Sequence, residues 1–290
     1  MLNLHIVTDS SAHFSNSPLP HNVTIVPNKL VIGGKTYREG VDITNEEAFR
    51  FINQANQGVE VIPPSVAEYT AVYERLTRHC DGIISLHPSR EILDSWQNAQ
   101  LAAQPFNGRC RIAVIDTQTL SGAQGMIVRL AAREALRNED FEDIVRITRG
   151  AVDHSYCVYF VETLDHLMVH RILPPSQSII GAMLNIKPVL TIEDGRLIAI
   201  EKVRTRLQAI ERLVEFVIEF TEFEDMLIMQ HRSGQTEQTR MLQDRLKLDF
   251  PDVHFPHAMY GASLAALIGT DATGLAVLEN QNSHGLDDEF

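Results

Sequence analysis

The chain has 290 residues, 44% apolar and 22% charged, the balance of a globular protein with a full core rather than of a disordered or low-complexity chain. Its 25 Lys plus Arg against 38 Asp plus Glu give a formal charge of −13, which repels phosphate backbones and anionic lipid surfaces and argues against general nucleic-acid binding. Cys80, Cys110 and Cys157 are sparse, odd in number and without C-x-x-C spacing, so a reducing, cytoplasmic location is expected rather than a disulfide framework.

Short apolar runs alternate with longer amphipathic ones. Leu4 to Thr8 reads as a buried strand that ends in Asp9-Ser10-Ser11. Val23 to Val26 and Leu30 to Ile32 read as strands, and Gly33-Gly34 turns the latter into Thr36-Tyr37 as a hairpin. Thr44 with Glu47, and Ser65 with Glu68, have capping-box spacing and open helices to about Asn56 and Cys80. Gly82 to Leu86 and Arg111 to Asp116 are strands; Ile92 to Gln104 and Ser121 to Arg137 are helices. This alternation predicts a mostly parallel sheet with helices on both faces.

The second half differs. A helix from Asp140 to about His154 leads to a strand at Cys157 to Val161, and Pro174-Pro175 breaks the chain. Lys187 to Ile192, the Asp194-Gly195 turn and Leu197 to Glu201 form a hairpin. A helix at Leu207 to Phe220, a strand at Met226 to Gln230, a helix to about Leu246 and a last strand at Gly274 to Glu279 follow. Hairpin-joined strands predict a mixed or antiparallel sheet, hence two α/β domains, residues 1–155 and 156–290. The opening residues carry no basic segment before an apolar run, and no apolar run approaches the ~20 residues of a spanning helix. Neither a leader nor membrane insertion is expected.

Few chemical motifs stand out. Gly33-Gly34-Lys35-Thr36 lacks the earlier glycine of a phosphate loop. There is no G-x-G-x-x-G and no G-x-S-x-G. His166 and His170 share one helical face but have no third ligand at a telling spacing. Ser10 and Ser11 follow the first strand, and Ser89 follows the strand ending at Leu86. In a parallel sheet both places lie at carboxyl ends of strands, where hydroxyls and free N–H groups suit an anion. Each serine could equally cap the next helix.

Ile6-Val7-Thr8-Asp9-Ser10-Ser11-Ala12 resembles the opening signature of the DegV family of bacterial fatty-acid-binding proteins. Ile115-Asp116-Thr117 with Ser121-Gly122-Ala123-Gln124-Gly125, then Leu164, Leu167 and Arg171-Ile172, resemble the family's next segments in order. So do Leu184 to Leu190 with Asp194-Gly195, His231 near Glu237, and Ile268-Gly269-Thr270 with Gly274. The resemblance covers nearly the whole chain. It implies a two-domain α/β fold with a ligand cavity between the domains, and a long-chain fatty acid or related lipid as ligand. It implies no cofactor, no activity of the chain alone, and a separate fatty acid kinase that phosphorylates the bound acid.

By the same resemblance the head group would meet Ser65, Ser89, Arg90, Thr270 and Asp271, with Ser10 and Ser11 nearby. Arg171 would face the partner at the pocket mouth, or pair with a neighbour such as Asp165. Several positions depart from the family pattern. The "TSxPS" stretch reads Val61-Ile62-Pro63-Pro64-Ser65, the second serine of "ISS" is Arg90, and the histidine of "GTHVGPGA" is Asp271. An ionised Asp271 about 4 Å from a carboxylate would cost roughly 4 kcal/mol at an effective dielectric near 20. Arg90 offsets that only if its guanidinium turns into the site rather than to solvent. A different amphiphile, or a serine-dependent hydrolase, are the alternative readings.

Overall fold

The computed structural model describes residues 3–15, 18–55, 58–137, 140–169 and 186–280. Among them the strands form three sheets. The first contains β1 (Leu4–Asp9), β2 (Val23–Val26), β6 (Gly82–His87) and β7 (Arg111–Asp116) in the order β2-β1-β6-β7, with every pairing parallel. The small second sheet joins β3 (Lys29–Ile32), β4 (Lys35–Arg38) and β5 (Glu60–Ile62) in antiparallel pairs. Its hairpin turns on Gly33 and Gly34 at φ 57° and 79°, a region open to glycine.

The third sheet has the order β10-β9-β8-β13-β11-β12. Its members are β8 (Ser155–Phe160), β9 (Lys187–Glu193), β10 (Arg196–Val203), β11 (Phe223–Gln230), β12 (His257–Met259) and β13 (Thr273–Glu279). Only the β11–β12 pair is parallel. Sheet membership therefore changes at Ser155.

The period-2 alternation of these strands assigns each residue to a layer. On β6, Ile83 faces α2 (Val66–Leu76) and α3 (Ser95–Ala103), packing with Tyr69, Tyr73 and Ala99. Ile84 and Leu86 face the other way, into the main core with Ile127 of α4 (Ser121–Leu136). In the third sheet, Val158, Ile228, Leu275 and Val277 pack under α7 (Arg206–Ile218) and α8 (Glu237–Asp249). Their neighbours Tyr159, Leu227, Met229 and Ala276 join the same main core as Ile84.

Thus α4 stands between the first and third sheets, touching β1, β6, β8, β11 and β13. It is buried over most of its surface, with Arg133 and Leu136 reaching solvent near its end. Ile127, Val128 and Leu130 are buried, each stabilising by roughly 1.5–3 kcal/mol. Its first turn is small because the chain crosses it. The His13 N–H donates to Ser121 O (2.9 Å), the Ser121 N–H to Ser11 O (3.0 Å), and a Cβ on Gly125 would stand 1.8 Å from the His13 carbonyl oxygen.

Both capping boxes are present: Thr44 and Glu47 open α1 (Asn45–Gln54), and Ser65 and Glu68 open α2. Two helices differ from expectation. α2 ends at Leu76, and α3 starts at Ser95 rather than Ile92, because the Ser89 carbonyl accepts from both Ile92 and Leu93 and closes a turn there. Helix α5 (Phe141–Asp153) packs on α4. Strands β5 and β12 and the short helices α6 (Asp165–Val169) and α9 (Ala262–Ile268) were not expected from the sequence. Pro174-Pro175 lies outside the described residues.

Candidate functional site

The carboxyl ends of the parallel strands gather the serines singled out above. Ser10 follows β1 and donates to Glu39 Oε2 (2.7 Å) while accepting the Asn28 N–H (2.8 Å). Asn28 Nδ2 donates to Ser11 Oγ (2.8 Å) and to Ser263 Oγ (3.0 Å). Glu39 closes the cluster: its Oε1 accepts the Ser263 N–H (2.8 Å) in the first turn of α9, and its Oε2 the Ser263 hydroxyl (2.5 Å). Burial pushes the Glu39 carboxyl above its ordinary range, against the pull of these donors. Ser10, Ala12, Phe14, Ile25, Glu39 and Val41 line a cavity of about 330 Å³ there.

Ser89 is fully buried. Its N–H donates to Thr119 O (2.8 Å) and its hydroxyl accepts from the Glu91 N–H (3.2 Å). The β9–β10 turn sits on it: a Cβ on Gly195 would lie 2.4 Å from Ser89 Oγ, and Arg196 pairs with Glu91 beside it (2.9 Å). Arg90 turns outward, its Nε 3.5 Å from Asp116 Oδ2 and its guanidinium 5.4 Å from the Trp96 ring centre. Ser65 is the N-cap of α2, occupied by Glu68.

Thr270 and Asp271 line a second cavity of about 310 Å³ with Ile52, Asn53, Asp165 and His166. The Thr270 hydroxyl donates to Asn53 Oδ1. Tyr260 fixes the loop, its O–H donating to Gly269 O (2.9 Å) and accepting from the Ala272 N–H (3.0 Å). Asp271 is exposed. Ser89 lines neither of the two cavities. The structure thus brings together Thr270 with Asp271 and Ser10 with Ser11, while Ser65, Ser89 and Arg90 each have separate partners. Arg171 and His170 lie outside the described residues. Among the described residues no three His, Cys, Asp or Glu side chains are grouped to hold a metal ion. No described helix is long and apolar enough to cross a membrane.

A polar cluster missed by the sequence reading lies beneath these loops. Tyr73 donates to Ser85 Oγ (2.8 Å), Ser85 contacts His87 Nε2 (2.7 Å), and His87 Nδ1 contacts Asp9 Oδ2 (3.1 Å). Tyr69 O–H donates to the same Asp9 oxygen (3.3 Å). Burial holds both tyrosines far above their ordinary range, so they stay O–H donors. One local signal was available: Ser85 and His87 are two apart on a strand and so share a face. The partner Asp9 follows from the Val7↔Ser85 register, which places it beside His87.

Comparison with known proteins gives a consistent result. A family model described as "Uncharacterised protein, DegV family" matches residues 3–280. A DegV domain-containing protein of Caldanaerobacter subterraneus is 29% identical over 280 residues, covering 95% of this chain and 98% of the relative. A fatty acid binding DegV family protein of Streptococcus agalactiae has a crystal structure that matches with a TM-score of 0.85 at 26% identity, over 97% of this chain and 100% of that one. The fatty acid kinase (Fak) B3 protein of Streptococcus pneumoniae, loaded with linoleic acid, shares the fold with a TM-score of 0.84 at 16% identity, over 96% and 100%.

Proposed function

The chain belongs to the DegV family, and from that premise we propose that it is a lipid-binding protein which buries a long-chain fatty acid and presents the carboxylate to a separate acyl kinase in the cytoplasm. The observation that carries this is the likeness, over essentially both full chains, to the fatty acid binding protein of Streptococcus agalactiae. Physical chemistry supports it. A free acyl chain is poorly soluble, and its burial stabilises by roughly 0.8 kcal/mol per CH₂.

The acid lies between the units 1–155 and 156–290. By the family resemblance its head group lies among Ser10, Ser11, Ser65, Ser89, Arg90, Thr270 and Asp271, with Arg171 toward the partner; Ser65, Ser89 and Arg90, which hold other partners in the structure, would turn to it on binding. The kinase brings ATP. A carboxylate oxygen of the bound acid attacks the γ-phosphorus, the new O–P bond forms as the bond to ADP breaks, and the acyl phosphate and ADP leave. The binding protein supplies solubility and orientation.

Mass spectrometry of organic extracts from the purified protein tests the first half, with a long-chain fatty acid as the expected result. Mixing the protein with ATP, oleate and a bacterial acyl kinase tests the second, with ADP released only when both proteins are present. Extracts free of fatty acid, together with no measurable binding of added oleate, would overturn the reading.

A further inference from the structure

Asp9, Tyr69, Tyr73, Ser85 and His87 have no solvent exposure. The Tyr73 hydroxyl donates to Ser85, whose Oγ lies 2.7 Å from His87 Nε2; His87 Nδ1 lies 3.1 Å from Asp9 Oδ2 and 3.2 Å from the Tyr69 hydroxyl, which donates to the same carboxylate. Serine, histidine and aspartate stand in the order of a hydrolase triad. Yet Ser85 Oγ already accepts from Tyr73 and is sealed beneath α2, so no substrate reaches it.

The cluster's anchors show what it does. Asp9 Oδ1 accepts the Ser11 N–H (3.0 Å), fixing the turn that carries Ser10 and Ser11. The His87 carbonyl accepts both the N–H (3.0 Å) and the hydroxyl (2.8 Å) of Thr117, two residues before the Thr119 carbonyl that holds the Ser89 N–H. Tyr69 lies one turn into α2, the helix that Ser65 caps. One buried cluster therefore cross-links β1, β6, the β7 loop and α2, each at the end that carries a candidate for the head group. Apolar side chains of similar volume would stabilise these elements as well. What the hydrogen bonds add is a single fixed registry between them.

We infer that the Asp9–His87 pair, with Tyr69, is a positioning device for carboxylate recognition: it sets the serine-bearing loops at the spacing that a fatty carboxylate requires. The inference rests on the fatty-acid reading above. It concerns the head group alone, so it separates acid from alcohol and leaves the tail untouched.

The test is affinity for linoleic acid against linoleyl alcohol, which share a tail and differ at the head. Wild type prefers the acid. His87→Leu lowers that preference about tenfold, the size of one hydrogen bond to a charged group, with affinity for the alcohol unchanged. Tyr69→Phe lowers it about threefold, in line with one neutral hydrogen bond. His87→Asn, which keeps a donor facing Asp9, retains it. A folded His87→Leu variant with unchanged preference, or one that loses acid and alcohol in parallel, overturns the inference and leaves the fatty-acid reading standing. Should His87→Leu fail to fold, Tyr69→Phe decides on the same criterion. A wild type that binds acid and alcohol equally overturns carboxylate recognition itself.

Discussion

Glu39 and His13 flank Gly261 from two sides, each 3.3 Å from where a Cβ would stand, and burial moves them in opposite senses. Glu39 holds its proton more tightly folded than unfolded, so its contribution to stability is present below its ordinary 4.5 and is lost as pH rises through the raised value. Burial pulls the His13 imidazole from 6.5 down to about 4, so its contribution is present above 6.5 and is lost as pH falls toward 4. The two slopes oppose each other over the intervening range. Urea unfolding across it should show stability rising more steeply with pH in Glu39→Gln than in wild type, and less steeply in His13→Gln. Parallel curves for all three would show that neither group titrates on unfolding. Asp271 bears on binding instead, under the proposed head-group site. It is exposed, and Arg90 is committed to Asp116 rather than to it. Replacing it with asparagine should raise affinity for a fluorescent fatty acid by up to about fivefold, the scale of an exposed charge pair. The gain should shrink in high salt; a gain independent of salt would point to shape rather than charge.

At the level of elements, the two glycines of α4 make a graded test. A Cβ on Gly122 would meet the Met229 sulfur at 2.8 Å, the movable end of a side chain, whereas on Gly125 it would meet a backbone carbonyl. Gly122→Ala should cost about 1 kcal/mol and Gly125→Ala ~3 kcal/mol or more, despite alanine's better helix propensity. Unfolding midpoints give the order directly, and equal costs would contradict the close crossing. Such crossings explain which elements could be read from the sequence. The capping boxes of α1 and α2 were legible because donor and acceptor lie three residues apart, and the β9–β10 hairpin because its Asp-Gly turn is local. Helix α9 was not. Ala262 to Ile268 is apolar on nearly every side and has no helical period to find; it is held by α1, α6 and β5. Strand β5 exists through its pairing with β3. For the candidate site, the family resemblance singles out Ser65 and Ser89 as expected head-group residues, but the burial of Ser89 under the β9–β10 turn and the Asp9–His87 contact across 78 residues were not legible.

For the whole molecule, the consequence lies in one core that crosses the division proposed near residue 155. Leu86 and Ile127 belong to it from one side, and Tyr159, Met229 and Ala276 from the other. Separately produced segments 1–155 and 156–290 should each expose that face and aggregate, and co-expressed they should copurify as a pair. A soluble, folded 156–290 segment would show that α4 is dispensable to the third sheet. The same helix also limits how the protein can move. A hinge between two lobes needs a seam that opens without stripping apolar surface, and α4 fills the seam with side chains packed on both sheets. On the fatty-acid reading proposed above, lipid exchange proceeds by small displacements at the rim, such as the Asp194–Gly195 turn lifting from Ser89, with the lobes fixed in place. Removing the lipid should leave the radius of gyration in solution scattering unchanged. Amide exchange should quicken at that turn and stay slow along α4.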